Sequence, residues 1–107
     1  MTLQEAETLF WFHAKRVGLP SDWTFAWKRR RLPFNSAGTC FTSKKEILLQ
    51  PSFVELNTKE IVEQTILHEL AHALTPRHGH NRFWKRKAIE IGHSGARHYS
   101  KEVNNGR

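Results

Sequence analysis

The 107-residue sequence contains one cysteine, one methionine and one tyrosine, and it has no long apolar run. The single cysteine, Cys40, cannot form an internal disulfide, which favours a reducing, intracellular setting. No apolar segment approaches the roughly 18 residues of a membrane-spanning helix, so we expect no membrane association. The first residues include Glu5 and Glu7 but no cationic stretch, so we expect no signal peptide. These absences favour a small cytoplasmic domain, which we expect to be monomeric.

Basic residues are in excess, and they are unevenly distributed. Lys and Arg number 17 against 10 Asp and Glu, giving a formal charge of +7. Residues 23–45 carry six basic groups and no acidic one, and residues 77–101 carry seven basic groups against one acidic group. The segment between them, residues 46–76, is acidic. A single basic run is usually solvated surface, but two segregated runs favour a polyanionic partner such as a phosphate backbone.

Hydrophobic periodicity and capping signals predict an α+β fold. A helix is expected over residues 3–17, because Thr2 and Glu5 form a capping-box pattern. Alternating aromatics from Trp23 to Trp27, followed by strands at 37–42 and 46–50, predict a three-stranded antiparallel meander. A capping signal at Asn57 and Glu60 predicts a second helix ending near residue 74, and a closing helix runs from about residue 81 to 92. We expect one domain over residues 1–92 and a short extension over 93–107.

The strongest chemical signal is an HExxH pattern at residues 68–72. Four residues turn a helix by about 400°, so His68 and His72 lie on one face, one turn apart. Two imidazoles in that position can share one tetrahedral zinc ion, with Glu69 beside it as a general base. The alternative is a pair of core histidines bonded to backbone groups. The spacing favours the metal, because burying three such polar groups is costly unless something satisfies them.

A catalytic zinc site needs a third protein ligand and an open position. His78 lies six residues after His72, which is the spacing of the third histidine in the metzincin motif. That motif has glycine at the position of Thr75, where the chain turns with a positive φ, and a β-branched residue resists a positive φ. His80 follows Gly79, which can supply a sharp turn, so we favour His80 and assign His78 to the loop or to the surroundings of the metal. The remaining histidines, His13, His93 and His98, are expected to be structural or exposed.

Five segments together resemble the SprT-like family, which includes the Spartan metalloproteases and is similar to the WLM-domain proteases. They are WTFAW at 23–27, AGTC at 37–40, EILL at 46–49, HELAH at 68–72 and GHNRFW at 79–84. The resemblance covers roughly residues 3–92. Its most specific part is the HELAH segment followed by Gly79-His80 and an aromatic, Trp84, four residues later, which supports His80 as the third ligand.

The resemblance implies a minimal zincin-like fold and a zinc-dependent peptidase acting near DNA, with proteins crosslinked to DNA as the substrates of the Spartan branch. Many SprT-like proteins carry a C-terminal zinc ribbon of cysteine pairs, which a chain with only Cys40 cannot form. DNA contact is then expected from the catalytic domain or from a partner. The small size fits a bacterial or phage protein, in the cytoplasm or with the nucleoid.

The function predicted from the sequence is hydrolysis of peptide bonds in DNA-associated or DNA-crosslinked proteins, with Zn²⁺ held by His68, His72 and His80 and with Glu69 as catalytic base. An edge strand, the second or the third, would bind an extended peptide. The oxyanion donor is left open among Arg77, His78, His98 and Tyr99. Single-stranded or distorted DNA would contact the basic residues of two clusters, Lys28, Arg29, Arg30 and Arg31, and Arg82, Lys85, Arg86 and Lys87.

Two other functions are compatible with the sequence. The first is a non-catalytic DNA-binding or regulatory protein with a structural zinc, which would need a fourth protein ligand such as His78. Glu69 argues against it, because a structural site has no use for a general base. The second is a metallohydrolase with a non-peptide substrate.

Overall fold

The computed structural model describes residues 1–29 and 37–96. Four helices and three strands follow one another in the order α1 (Leu3–Val17), β1 (Thr24–Trp27), β2 (Gly38–Phe41), β3 (Glu46–Leu49), α2 (Pro51–Leu56), α3 (Lys59–Leu74) and α4 (Arg82–Ile91). The predicted α+β class is therefore confirmed. None of the helices in the described ranges is long and apolar enough to span a bilayer.

The helix ends follow from local sequence. Thr2 and Glu5 form the expected capping box at the start of α1, and Gly18 ends that helix in the left-handed conformation. Asn81 caps α4 by accepting hydrogen bonds from the backbone of Phe83 and Trp84, and Gly92 ends it. Both helices thus have the limits that their sequences predict.

The sheet is mixed, so the predicted antiparallel meander is wrong. The strand order is β1-β3-β2, with β3 antiparallel to β2 and parallel to β1. The four-residue connection 42–45 joins β2 to β3 as a hairpin, whereas the connection from β1 to β2 spans residues 28–37. A connection of that length lets β2 lie two positions away from β1, and β3 then occupies the position between them. The third strand is consequently central, and β2 is an edge strand.

A short helix, α2, was missed because Pro51 suggested only the end of a strand. Proline is well suited to the first turn of a helix, since its fixed φ is helical and its missing N–H is not needed there. The predicted cap at Asn57 was also wrong. The Asn57 side chain instead donates to the backbone carbonyl of Phe53 in α2. Helix α3 begins at Lys59, one residue later than predicted, with Thr58 as its N-cap.

Helix α3 is the centre of the structure, with α1, α4 and β2 packed around it. Nine of its sixteen residues are buried, including an unbroken run from Thr65 to Ala71. The imidazole of His13 in α1 bonds the Glu63 carboxylate of α3 at 2.6 Å, and the Arg16 guanidinium reaches the carbonyl of Ile91 in α4. His13 is thus structural, as expected. The packing fixes the rotation of α3 and therefore the direction in which its polar residues point.

Candidate metal centre

The histidines His68, His72 and His80 converge at the end of α3. Their three Nε2 atoms form a nearly equilateral triangle with sides of 3.2, 3.1 and 3.1 Å. Nitrogens that each lie about 2.0–2.1 Å from a tetrahedral zinc are separated by roughly 3.3 Å, so this triangle fits one face of such a site. In the described part of the chain, this is the group of side chains placed to hold a metal ion.

The protonation state of His72 also suits a metal. Burial, together with the neighbouring His80, lowers the pKa of His72 to about 4. A neutral imidazole has a free lone pair, and a lone pair on nitrogen is what a metal ion requires. The donor set is all-imidazole, His72 is neutral at neutral pH, and imidazole nitrogen suits zinc and other transition-metal ions.

Trp84 of α4 packs against the rings of all three histidines of the triad. Its indole is 1% exposed, and its ring lies within 5.4 Å, centroid to centroid, of each histidine ring. Its Nε1 donates to the backbone carbonyl of His68 at 3.4 Å. The sequence marked Trp84 only as a helix-face aromatic and a family position. Its contact with every member of the triad becomes visible only in the folded chain.

His93 adds a second support on the same side. It is 6% exposed, its ring packs edge-on against His68 and Trp84, and its Nδ1 accepts from the backbone of Gly95. Burial lowers the pKa of His93. The histidine is therefore structural, as expected, but it lies beside the candidate site. His98 and Tyr99 lie outside the described residues.

Glu69 lies next to the triad and is almost fully buried, with 5% of its surface exposed. Burial raises the pKa of its carboxyl to about 8, while the positive charge of Lys28 acts in the opposite direction. Glu69 packs against the backbone of β2, since a Cβ on Gly38 would lie 3.1 Å from Cγ and 3.2 Å from Oε2 of Glu69. The sequence could not show this contact, because Gly38 is 31 residues away along the chain.

Gly38 gives a direct test of that contact. We expect Gly38→Ala to lower the peptidase activity predicted from the sequence by at least tenfold, because the methyl group displaces the Glu69 carboxylate by a few tenths of an ångström, and misplacement is costly in catalysis. Metal stoichiometry should be unchanged, since the three histidines of the triad lie outside β2. Gly18→Ala is not a matched control, because Gly18 has a positive φ. Ala26→Gly in β1, on the other side of β3 from β2, serves as the control for strand stability. Full activity in Gly38→Ala would contradict the contact.

A cleft of about 440 Å³ opens above the triad. Its walls come from β2, α3 and the turn between α3 and α4, and they consist of Gly38, Thr39, Cys40, Thr42, His68, Glu69, His72, Thr75, Arg77, Gly79 and His80. Cys40 is unsuited to nucleophilic chemistry here, because burial raises the pKa of its thiol to about 12. The edge strand β2 forms one wall, so a bound chain could lie alongside it.

The structure separates the two candidates for third ligand. His80 completes the triangle, whereas the His78 ring bonds the Asn81 side chain and packs against Phe83 at a centroid distance of 4.8 Å. His78 lines a neighbouring groove of about 370 Å³ instead of the cleft. Among the described candidates for oxyanion donor, Arg77 lies in the cleft and His78 does not.

The basic residues proposed for DNA binding differ in their exposure to solvent and in their ion pairing. Lys28 is only 6% exposed, and burial lowers its pKa, which disfavours the predicted phosphate contact, and the contact stays a prediction. Arg29 is exposed, and Arg30 and Arg31 lie outside the described residues. On α4, Arg82, Lys85 and Arg86 are exposed, while Lys87 is paired with Glu90. Trp23 is buried in the core and cannot stack on a base.

The fold and the histidine triad define a metalloprotease-type domain. A solved structure, the metallopeptidase zymogen of Pyrococcus abyssi abylysin, shares the fold with a TM-score of 0.63 at 19% identity, over 80% of this chain and 87% of that one. The SprT-like family profile matches residues 3–105, so the chain belongs to the SprT-like family.

Two curated relatives, both named Protein SprT and both from Klebsiella pneumoniae strains, are 38% identical to this chain over 55 residues. The match covers 47% of this chain, and it covers only a third of each relative. The family expected from the sequence is thus confirmed. The division of the chain at residue 92 stays a prediction.

Proposed function

We propose that this domain is a zinc-dependent peptidase. The observation that carries the proposal is the triangle of Nε2 atoms from His68, His72 and His80, set beside the buried carboxylate of Glu69 at the floor of an open cleft. Zinc bound by the triad would polarise the scissile carbonyl and increase the acidity of a water molecule. The remaining steps depend on side chains of this chain.

Glu69 would move the proton. Its carboxylate would accept a proton from the attacking water and then donate it to the leaving amine as the peptide bond breaks. Gly38 and the surrounding apolar packing hold the carboxylate in one place and keep bulk water from it. Arg77 lies in the same cleft, with a permanent positive charge available to substrate oxygen.

The substrate would bind as an extended chain along β2. This strand is at the edge of the sheet, and Gly38, Thr39 and Cys40 line the cleft. Backbone pairing with an edge strand is a general way to bind an unfolded segment regardless of its sequence. A loosely folded protein is therefore a better expected substrate than a compact one.

Two observations disfavour a purely structural zinc. A structural site closes the fourth position with a protein ligand. In residues 1–29 and 37–96 the metal-binding group has three members, and its open side faces the cleft. In addition, His78 is held away by Asn81 and Phe83.

Metal removal tests the proposal. Protein reconstituted with one equivalent of zinc is expected to cleave unfolded casein, to lose activity after chelation and dialysis, and to regain it on addition of zinc. A metal-free sample that remains fully active, or a zinc-loaded sample that leaves casein and every peptide intact, would contradict the proposed function. Circular dichroism of the metal-free protein shows whether loss of activity reflects loss of fold.

We also propose that proteins held on DNA are the natural substrates, with α4 contacting single-stranded DNA. Arg82, Lys85 and Arg86 are exposed on this helix, and Phe83 beside them is 44% exposed, with the Arg82 guanidinium 5.2 Å from its ring centre. Cations beside an exposed aromatic ring suit a phosphate backbone with stacked bases. Lys87 contributes less, because Glu90 neutralises it.

Replacing Arg82, Lys85 and Arg86 by glutamine should weaken single-stranded DNA binding by about tenfold or more at low salt and flatten its salt dependence. Cleavage of DNA-free casein should be unchanged. A triple variant at Lys15, Lys44 and Lys59, which are exposed on other elements, removes the same charge as a control. Equal DNA affinity in both variants, measured by fluorescence anisotropy, would contradict the role of α4.

A further inference from the structure

The turn between α3 and α4 contains an arginine in an unfavourable backbone conformation. Residues 75–78 form a turn in which the His78 N–H donates to the carbonyl of Thr75 at 3.3 Å. Pro76 occupies the second position and Arg77 the third, where φ is +71°. Proline followed by a residue of positive φ is the pattern of a type II turn, and the third position of that turn normally holds glycine or asparagine.

The local sequence offers no stability reason for an arginine at this position. A side chain with a Cβ is strained at positive φ, whereas Gly79 two residues later meets the same demand without strain. Strained residues of this kind tend to persist where their side chains have a function. In the described part of the chain, the Arg77 guanidinium makes no ion pair or side-chain hydrogen bond that would explain its retention.

The turn places Arg77 in the wall of the metal cleft. Among the described residues of that wall, the ionisable side chain besides Arg77, the histidines and Cys40 is that of Glu69, which is buried at its floor. Arg77 is exposed, and its guanidinium remains charged at every relevant pH. Among the described residues, the cleft therefore presents one solvent-accessible fixed cation beside the triad, with a planar set of donors that matches a carboxylate.

The geometry points to Arg77 as a specificity-determining residue that binds a carboxylate of the substrate close to the scissile bond. This inference rests on the proposed peptidase function and names the substrate class: peptides with an Asp or Glu side chain, or a free C-terminal carboxylate, near the bond that is cleaved. Peptides with Lys or Arg at the same position are repelled by the same charge.

The test uses variants that keep the turn. Arg77→Asn removes the charge, and asparagine tolerates a positive φ, so the fold should be retained with an unchanged or higher Tm. Arg77→Glu reverses the charge. Lys15→Gln removes an exposed cation of α1 outside the cleft and is the matched control.

The zinc-loaded proteins are incubated with a peptide library, and the cleavage sites are read by mass spectrometry. Wild type and Lys15→Gln should favour Asp or Glu at one position near the cleaved bond. Arg77→Asn should lose this preference, and Arg77→Glu should favour Lys or Arg instead. For a peptide with Glu at that position, Arg77→Asn should raise KM by about five- to tenfold, whereas KM for the matched Gln peptide should not change, and this difference separates carboxylate binding from a role of Arg77 at the oxyanion.

Two further arms separate the sources of the carboxylate. Amidation of the C-terminus should abolish the preference if the terminal carboxylate is bound, and Glu→Gln in the peptide should abolish it if the side chain is bound. An identical cleavage profile for wild type, Arg77→Asn and Arg77→Glu would overturn the inference but leave the peptidase function intact. Loss of single-stranded DNA binding in Arg77→Asn with an unchanged profile would also overturn it, in favour of a phosphate contact. If wild type cleaves nothing, the proposed function fails first.

Discussion

Replacing Glu69 by glutamine is expected to reduce kcat for peptide hydrolysis by a factor of about 10²–10⁴, the usual contribution of a general acid–base residue. Glutamine has almost the same shape, so it can occupy the buried site against Gly38, but its amide cannot accept the proton from water. The three histidines are unchanged, and zinc content measured by mass spectrometry should remain one ion per chain.

The stability of Glu69→Gln helps to interpret this result. Glu69 is 5% exposed, and burial raises its pKa to about 8, so the folded metal-free protein bears a cost for the charged carboxylate. Removing the charge should therefore leave Tm of the metal-free protein unchanged or higher. A variant that binds zinc, melts normally and does not cleave would identify Glu69 as catalytic. A variant that cleaves as fast as wild type would rule out the proposed mechanism.

The second large effect is expected from the pair His80→Ala and His78→Ala. Loss of His80 removes one of three nitrogens that converge within 3.2 Å, so zinc affinity should fall by at least about 100-fold, and activity should fall with it. Loss of His78 removes a ring that bonds Asn81 and packs on Phe83, and zinc affinity should change by no more than a few fold.

Competition with a chromophoric chelator measures both affinities under the same conditions. The two histidines lie two residues apart in the connection between α3 and α4. Each variant therefore serves as a control for any change in backbone structure that the other variant causes there. Equal losses of zinc affinity in the two variants would indicate a four-histidine site and would support a structural zinc. A loss confined to His78→Ala would mean that the third ligand had been wrongly assigned.

The features predictable from the sequence were those that depend on neighbouring residues. The HExxH spacing puts His68 and His72 on one face of any helix, and the caps at Thr2, Gly18 and Asn81 set helix ends through contacts within four residues. The assignment of His80 as the third ligand needed more than spacing, and the flexible Gly79 and the family resemblance supplied it.

The features that could not be predicted depend on contacts between distant segments. The hydrophobic pattern of β3 is the same whether it lies at the edge or in the centre, so only the long connection before β2 hinted at the mixed sheet. The burial of Lys28 depends on the packing around Glu69, although its sequence neighbours are arginines that favour a surface. Likewise, no local rule shows that Gly38 must leave room for the Glu69 carboxylate.

X-ray absorption spectroscopy at the zinc edge tests the central claim most directly, because it counts the ligands of the bound ion in solution. The account predicts three imidazole nitrogens at about 2.0–2.1 Å and oxygen in the remaining coordination, with one imidazole lost in His80→Ala and none lost in His78→Ala. Four imidazoles, or a sulfur ligand from Cys40, would contradict an open zinc site beside Glu69.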